Sequence, residues 1–152
     1  MKFVGEEIYK AIPNRKPLML LETLELEENR GVATIDLKGD EWFFACHFPG
    51  NPVMPFSLIV ECLAQVHVAV VQQRTTPDEI PVFAAIGSPM GGEGGDIRLK
   101  MSVLPNDKLR LEAQVISYRH GIAKGICSAY KNDIEQPILQ FNITHVVPSQ
   151  MR

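Results

Sequence analysis

The sequence predicts an α+β domain in which one curved, mainly antiparallel sheet wraps a long central helix, and three observations carry that reading. Residues 56 to 73 have a helical run whose apolar residues, from Phe56 and Leu58 through Leu63 and Val66 to Val71, cover nearly every face. A helix that is apolar all round is buried all round. A series of short apolar or alternating segments follows it, as strands separated by tight turns do. The connections between them are too short for parallel crossovers. A chain of 152 residues suits one domain, spanning 1–152. In a domain of that size a single sheet is the economical wrapper for such a helix.

Each element follows from local chemistry. Residues 5 to 12 suit a short helix stopped before Pro13. Residues 17 to 26 and 31 to 38 read as strands around a Glu27-Glu28-Asn29-Arg30-Gly31 turn. Residues 41 to 55 hold three prolines and a glycine. Proline lacks an amide donor and fixes φ, so this stretch reads as an ordered loop. Pro55 fits the first turn of the helix that follows. Strands are expected at 82–87, 97–104, 108–119, 122–130 and 138–147. The third has clear period-two alternation, Leu109, Leu111, Ala113 and Val115 against Arg110, Glu112 and Gln114. His120-Gly121 and Asn132-Asp133 mark hairpin turns.

Composition narrows the function classes. The chain is 45% hydrophobic and 22% charged, with a net charge of −3 at pH 7, so it has no global basic field for nucleic acid. Cys46, Cys62 and Cys127 cannot all pair, and none sits in a zinc-like spacing; they read as free thiols in a reducing compartment. No pair of His or Cys has metal-ligand spacing. The start, MKFVGEEIYK, lacks the apolar core of a signal peptide. The longest apolar run is broken by Glu61, Gln65 and His67, and is too polar to span a bilayer. A soluble, cytoplasmic protein is the expectation, with no nucleic-acid or membrane partner. The run Gly91-Gly92-Glu93-Gly94-Gly95 has no following Lys-Ser/Thr and no helix, so it reads as a mobile surface loop rather than a phosphate cradle.

The chemistry-bearing residues cluster at the start of the central helix. Ser57, Glu61 and Gln65 are spaced i, i+4, i+8 and make one narrow polar stripe on an otherwise apolar cylinder. A carboxylate in such surroundings needs a partner or a raised pKa, and a neutral Glu is a proton donor. Satisfaction by backbone amides, or exposure at a groove, is the alternative. His47 lies in the loop leading into this helix, beside Phe48-Pro49-Gly50, where prolines limit its motion and its ordinary pKa lies near neutrality. The unpaired amides at the helix start could polarise a thioester carbonyl. A base, an acid and an oxyanion site thus fall in one region. His67 and His145 read as core or interface residues, His120 as a solvated hairpin tip, and Cys62 as a packing residue pointing away from Glu61.

His47 to Gln65 reads HFPGNPVMPFSLIVECLAQ. It resembles the signature of the 3-hydroxyacyl-acyl-carrier-protein dehydratases of FabZ type, and less closely that of the FabA-type dehydratase/isomerases. Pro13 to Leu21 resembles the early Pro-His-Arg-x-Pro segment of the family, and Leu104-Pro105-Asn106-Asp107-Lys108-Leu109 its Val-Pro-Gly-Asp-x-Leu turn. The resemblance implies a hot-dog fold and dehydration of (3R)-3-hydroxyacyl-carrier thioesters to trans-2-enoyl thioesters in fatty-acid or polyketide-type biosynthesis, with no cofactor. It implies an acyl carrier protein as partner and a homodimer at minimum, a trimer of dimers, or a heterodimer with another hot-dog subunit. By the same resemblance His47 takes the C2 proton and Glu61 protonates the leaving 3-hydroxyl, the two coming from different subunits. On the substrate side, Gln65 holds Glu61 and the leaving water, the amide of Phe56 binds the thioester carbonyl, the carbonyl of Val53 orients His47, and Gly50 belongs to the motif turn.

The departures from the pattern also carry expectations. Phe56 stands where the family has glycine, and its bulk implies a narrowed or redirected acyl tunnel. Asn14 replaces the early histidine. The segment from Ser88 to Asp96 is longer and richer in glycine than the family loop. Arg74, Arg98 and Lys100 are candidates for docking an acidic carrier, with ordinary solvated surface as the alternative. A thioesterase using the helix carboxylate, and a non-catalytic subunit paired with an active one, are the competing functions. Isomerisation of the product is not expected, since the acid is Glu61 rather than the Asp of the bifunctional relatives.

Overall fold

In the computed structural model, which describes residues 1–89 and 95–151, the apolar run forms helix α2 (Phe56–Gln72), which begins directly after Pro55. Leu58, Ile59, Cys62, Leu63, Val66 and Val70 of α2 are buried, as the all-round pattern requires. A seven-stranded antiparallel sheet wraps it. The strands are β1 (Lys2–Val4), β2 (Thr23–Leu26), β3 (Arg30–Asp36), β4 (Val82–Gly87), β5 (Lys108–Arg119), β6 (Ile122–Lys131) and β7 (Leu139–Val146). Their order across the sheet is β1-β2-β3-β5-β6-β7-β4. The helix lies across the middle of this sheet, against β3, β5, β6 and β7.

Alternation decides which face meets the helix. Leu109, Leu111 and Ala113 of β5 are buried while Arg110 and Gln114 are exposed, and Leu111 and Leu109 pair with Ala33 and Ile35 of β3. The inner face of β6 carries the small residues Ala123, Gly125, Cys127 and Ala129, which make room for α2. Two glycines let the backbone approach. A Cβ at Gly31 would lie 3.0 Å from both Val66 Cγ1 and Val70 Cγ2; one at Gly125 would lie 2.4 Å from the Gln114 carbonyl oxygen and 2.7 Å from His67 Nε2. Any larger residue at Gly125 would have to push the β5–β6 ladder apart.

Most predicted strands form within a residue or two of their expected ends, but several readings need correction. The strand expected at 17–26 is confined to Thr23–Leu26. Upstream, the backbone bonds elsewhere: the Met19 amide donates to the Arg15 carbonyl and the Leu18 carbonyl accepts from Gln65. The segment 97–104 forms no strand, although Val103 is buried and Ile97 and Leu99 pack on the core. Its backbone makes isolated bonds, from Lys100 N–H to the Ile138 carbonyl and from Met54 N–H to the Val103 carbonyl, instead of a ladder. The 5–12 helix is a 3₁₀ helix over Gly5–Lys10. The 41–55 loop contains a short helix, α1 (Trp42–Cys46). His120 and Gly121 both have positive φ in a tight β5–β6 turn, whereas the turn at Asn132 opens a longer connection to β7. Gly91, Gly92, Glu93 and Gly94, where a mobile loop was expected, lie outside the described residues. No helix among the described residues is long and apolar enough to cross a membrane.

The helix and sheet also meet through two histidines. His67 of α2 and His145 of β7 are 0% and 1% exposed, with their Nδ1 atoms 2.6 Å apart and their rings stacked. One proton lies between the two nitrogens, so one ring donates and the other accepts, and both are neutral. Burial pushes His67 down to about 3, with neighbouring His145 adding to the effect, and pushes His145 down to about 4. In the unfolded chain both titrate near pH ~6.5. Below that pH the unfolded chain binds more protons than the folded one, so stability present above it drains away as pH falls toward the folded values. Each imidazole contributes up to ~1.4 kcal/mol per pH unit in that window, several degrees of Tm in a domain this size. Thermal melts from pH 7 to pH 5 should show this fall, and the double variant His67→Leu/His145→Leu a shallower one; parallel curves would remove the pair as the cause.

Candidate active site

His47 is positioned by the short helix before it and the loop after it. Phe43 and Phe44 are buried and anchor α1 to the core. The His47 amide closes that helix by donating to the Phe43 carbonyl at 3.0 Å. The Phe48 and Asn51 backbones bond to each other across the Pro49-Gly50 turn, where Gly50 has φ +74°, a conformation that favours glycine. The Val53 amide then donates to the His47 carbonyl at 2.9 Å. The ring is fixed as well. His47 Nδ1 lies 3.0 Å from the Val53 carbonyl oxygen and the ring stacks on Phe48. A carbonyl can only accept, so Nδ1 carries a hydrogen, and in the neutral ring Nε2 holds the lone pair.

Glu61 sits on the polar stripe of α2 and is half-buried, not sealed in the core as the apolar surroundings suggested. It opens on a cleft of ≈330 Å³ shared with Ser57, Gln65, Asn14, Phe83 and His145. Gln65 is 1% exposed and donates from Nε2 to Glu61 Oε2 at 2.9 Å and to the Leu18 carbonyl at 3.0 Å. The Leu18 carbonyl can only accept, which sets the orientation of the amide. Its Oε1 is then left buried without a partner. Glu61 keeps its other oxygen free toward the cleft. Phe56 is the first residue of α2 and is partly exposed. Its amide and that of Ser57 have no acceptor within the helix.

His47 does not line the cleft that holds Glu61. Arg74 is committed within the chain: it donates to the Glu28 carbonyl, bonds Asn29 Oδ1 and lies over the Tyr118 ring. The guanidinium of Arg98 pairs with Asp96 on the surface, and Lys100 is exposed. Sequence reasoning did not place Phe83 and His145 in the cleft. Both come from the β4–β7 pair, where they are register partners; a histidine among apolar strand residues carried no signal of the cavity beside it.

Solved structures place this architecture. The dehydratase heterocomplex ApeI:P from Xenorhabdus doucetiae matches with a TM-score of 0.71 over 93% of this chain and 90% of that one, at 12% identity. Zebra fish thioesterase superfamily member 2 matches with a TM-score of 0.66 over 93% and 94%, at 10% identity. Those likenesses are of fold, and together with the sheet wrapped around α2 they define a hot-dog protein. Residues 12–136 match the FabA-like domain. The 3-hydroxyacyl-[acyl-carrier-protein] dehydratase FabZ of Bacillus pumilus is 41% identical over 124 residues, covering 80% of this chain and 81% of that protein. That of Symbiobacterium thermophilum is 38% identical over 125 residues, covering 80% and 82%. The chain belongs to the FabZ-type dehydratase family.

The two bonds of Gln65 generate a prediction. Gln65→Met removes the unpaired Oε1 along with both bonds, so urea denaturation should show a loss of no more than ~1 kcal/mol. Gln65→Glu sets a second carboxylate against Glu61 and against the Leu18 carbonyl, and should lose roughly 2–3 kcal/mol at pH 7. Equal losses in the two variants would contradict the donor role.

Proposed function

We propose that the protein removes water from (3R)-3-hydroxyacyl thioesters carried on acyl carrier protein, giving trans-2-enoyl thioesters for fatty-acid or polyketide-type biosynthesis. The observation that carries the proposal is the bond from His47 Nδ1–H to the Val53 carbonyl, because it leaves Nε2 as a positioned base in a family of dehydratases. His47 Nε2 takes a proton from C2. The C2=C3 double bond forms as the C3–O bond breaks, and Glu61 delivers its proton to the departing hydroxyl, which leaves as water. Charge that develops on the thioester oxygen is met by the Phe56 amide at the positive end of α2. Gln65 holds the Glu61 carboxyl beside the leaving water through its Nε2–H. Gly50 keeps the turn beside His47. No step calls on a metal or cofactor.

The site is composite on this reading, with His47 from one subunit and Glu61 from its partner. Two observations support that. His47 is absent from the Glu61 cleft, and β4 is an edge strand with Val82 and Phe83 each 49% exposed and Ile86 38% exposed. An apolar edge of that kind is an interface in waiting, and a two-fold arrangement would make two equivalent sites. The mass in solution distinguishes a homodimer from a trimer of dimers or a heterodimer with another hot-dog subunit. Of the three cations the sequence offers to an acidic carrier, Lys100 is exposed and Arg98 is exposed beside Asp96.

Incubation with a 3-hydroxyacyl-carrier thioester, followed by mass spectrometry, tests the reaction: loss of one water supports it, while free acid indicates a thioesterase and no change an accessory subunit. His47→Ala and Glu61→Gln should each lose ~10²–10⁴-fold in kcat. Mixing the two inactive variants under subunit exchange should recover activity, since one site of each mixed dimer regains both groups; no recovery would mean that both come from one chain. Phe56→Gly should shift the chain-length profile toward longer acyl groups, read as kcat/KM across a series of chain lengths; an unchanged profile would take Phe56 out of the tunnel.

A further inference from the structure

The cleft that holds Glu61 is not uniformly apolar. Val60, Ala64 and Val68 of α2 make its floor beyond the Ser57–Glu61–Gln65 stripe, and Phe83 makes a wall. His145 stands in that wall, edge to face with Phe83 at 5.8 Å between ring centroids. A hydrocarbon acyl chain gives no reason for an imidazole there. Leucine would fill the space without placing a polar atom where water is displaced on binding.

The pairing with His67 determines what His145 offers. Its Nδ1 is taken by His67 Nδ1, so Nε2 is the one polar atom the ring has left. Among the described residues, the side-chain nitrogens and oxygens sealed from solvent without a partner are Gln65 Oε1 and His67 Nε2. His145 Nε2 is not among them, and no hydrogen bond claims it; His145 is 1% exposed and lines the cleft. The shared proton makes the wall adaptable. When His145 donates at Nδ1, its Nε2 is an acceptor; when His67 donates, His145 Nε2 carries the hydrogen and is a donor. Burial keeps both rings neutral at physiological pH, so either tautomer is available.

We infer that His145 is a specificity-determining residue whose Nε2 hydrogen-bonds an oxygen substituent, a hydroxyl or a carbonyl, on the acyl chain beyond C3. The inference rests on the proposed dehydration and adds the class of chain it prefers. A substrate with its 3-hydroxyl at Glu61 has Ala64 and Val68 to lie along, and reaches His145 further down the same cleft. A chain of methylenes would leave Nε2 unpaired on closing the cleft, and sites built to bond a substrate oxygen discriminate strongly against analogues that lack it.

The test compares 3-hydroxydecanoyl pantetheine thioester with analogues carrying a single oxo group at C5, C6, C7 or C8. The wild type should favour one oxo position over the parent by at least roughly tenfold in kcat/KM. His145→Leu should abolish that ratio and His145→Gln should restore part of it. A flat profile in the wild type, or a ratio unchanged in a folded His145→Leu, would overturn the inference. Should His145→Leu not fold, ¹⁵N-histidine spectra of the wild type decide. The His145 Nε2 resonance should move on adding the favoured oxo chain as a non-hydrolysable amide, and not on adding the parent amide; the same response to both would overturn it. If none of the thioesters is dehydrated, the reaction falls, while the nitrogen response to the amides still judges His145.

Discussion

Everything in this fold depends on burying a helix that is apolar on nearly every side. Such a helix must be covered almost completely, and a curved antiparallel sheet does that with the least chain. The demand propagates outward. It sets the small inner residues of β6, and it makes Gly31 and Gly125 necessary, since a Cβ at either would strike the helix or the neighbouring strand. It also determines where chemistry is possible. With most faces of α2 packed, the strip carrying Ser57, Glu61 and Gln65 opens on a cleft.

That dependence explains what could be read from the sequence. The helix, β4, β5 and the tight β5–β6 turn were legible because each has a strong local pattern: all-round apolarity, period-two alternation, or a His-Gly pair able to take positive φ. The positions of Glu61, Gln65 and His47 were legible because i, i+4, i+8 spacing and a proline-rich loop survive translation into space. The failures share a cause as well. Residues 17–22 and 97–104 have apolar residues that do pack, but their backbone groups are used by Gln65, Met54 and Ile138, which no local pattern reveals. Arg74 looked like free surface charge; its commitment to Glu28, Asn29 and Tyr118 joins segments distant in sequence.

The histidine pair belongs to the same class of long-range facts. His67 and His145 are 78 residues apart, and nothing in either neighbourhood announces the other. Read separately, each is an ordinary core histidine. Read together, they are two neutral rings sharing one proton, with one nitrogen sealed and unpaired and another facing the cleft. A core built only for stability would not include them, since an unpaired buried nitrogen costs about 1–3 kcal/mol and burial makes the pair a liability in acid. Departures of this kind from good packing are where function is most often found.

The same reasoning separates what one chain supplies from what it lacks. Within the chain Gln65 Nε2 is spent on Glu61 and Leu18, the His47 ring is locked by Val53, and the α2 amides at Phe56 and Ser57 are unspent. Each group is held by bonds internal to the chain, yet His47 does not line the cleft that holds Glu61. Preorganisation of that kind is only useful if something completes the site. Phe83 belongs both to the exposed apolar edge of β4 and to the lining of the Glu61 cleft, so a partner covering that edge would also border the cleft. On the composite reading, dimerisation and assembly of the active site are then one event, and the stability of the interface and the geometry of catalysis are set by the same contacts.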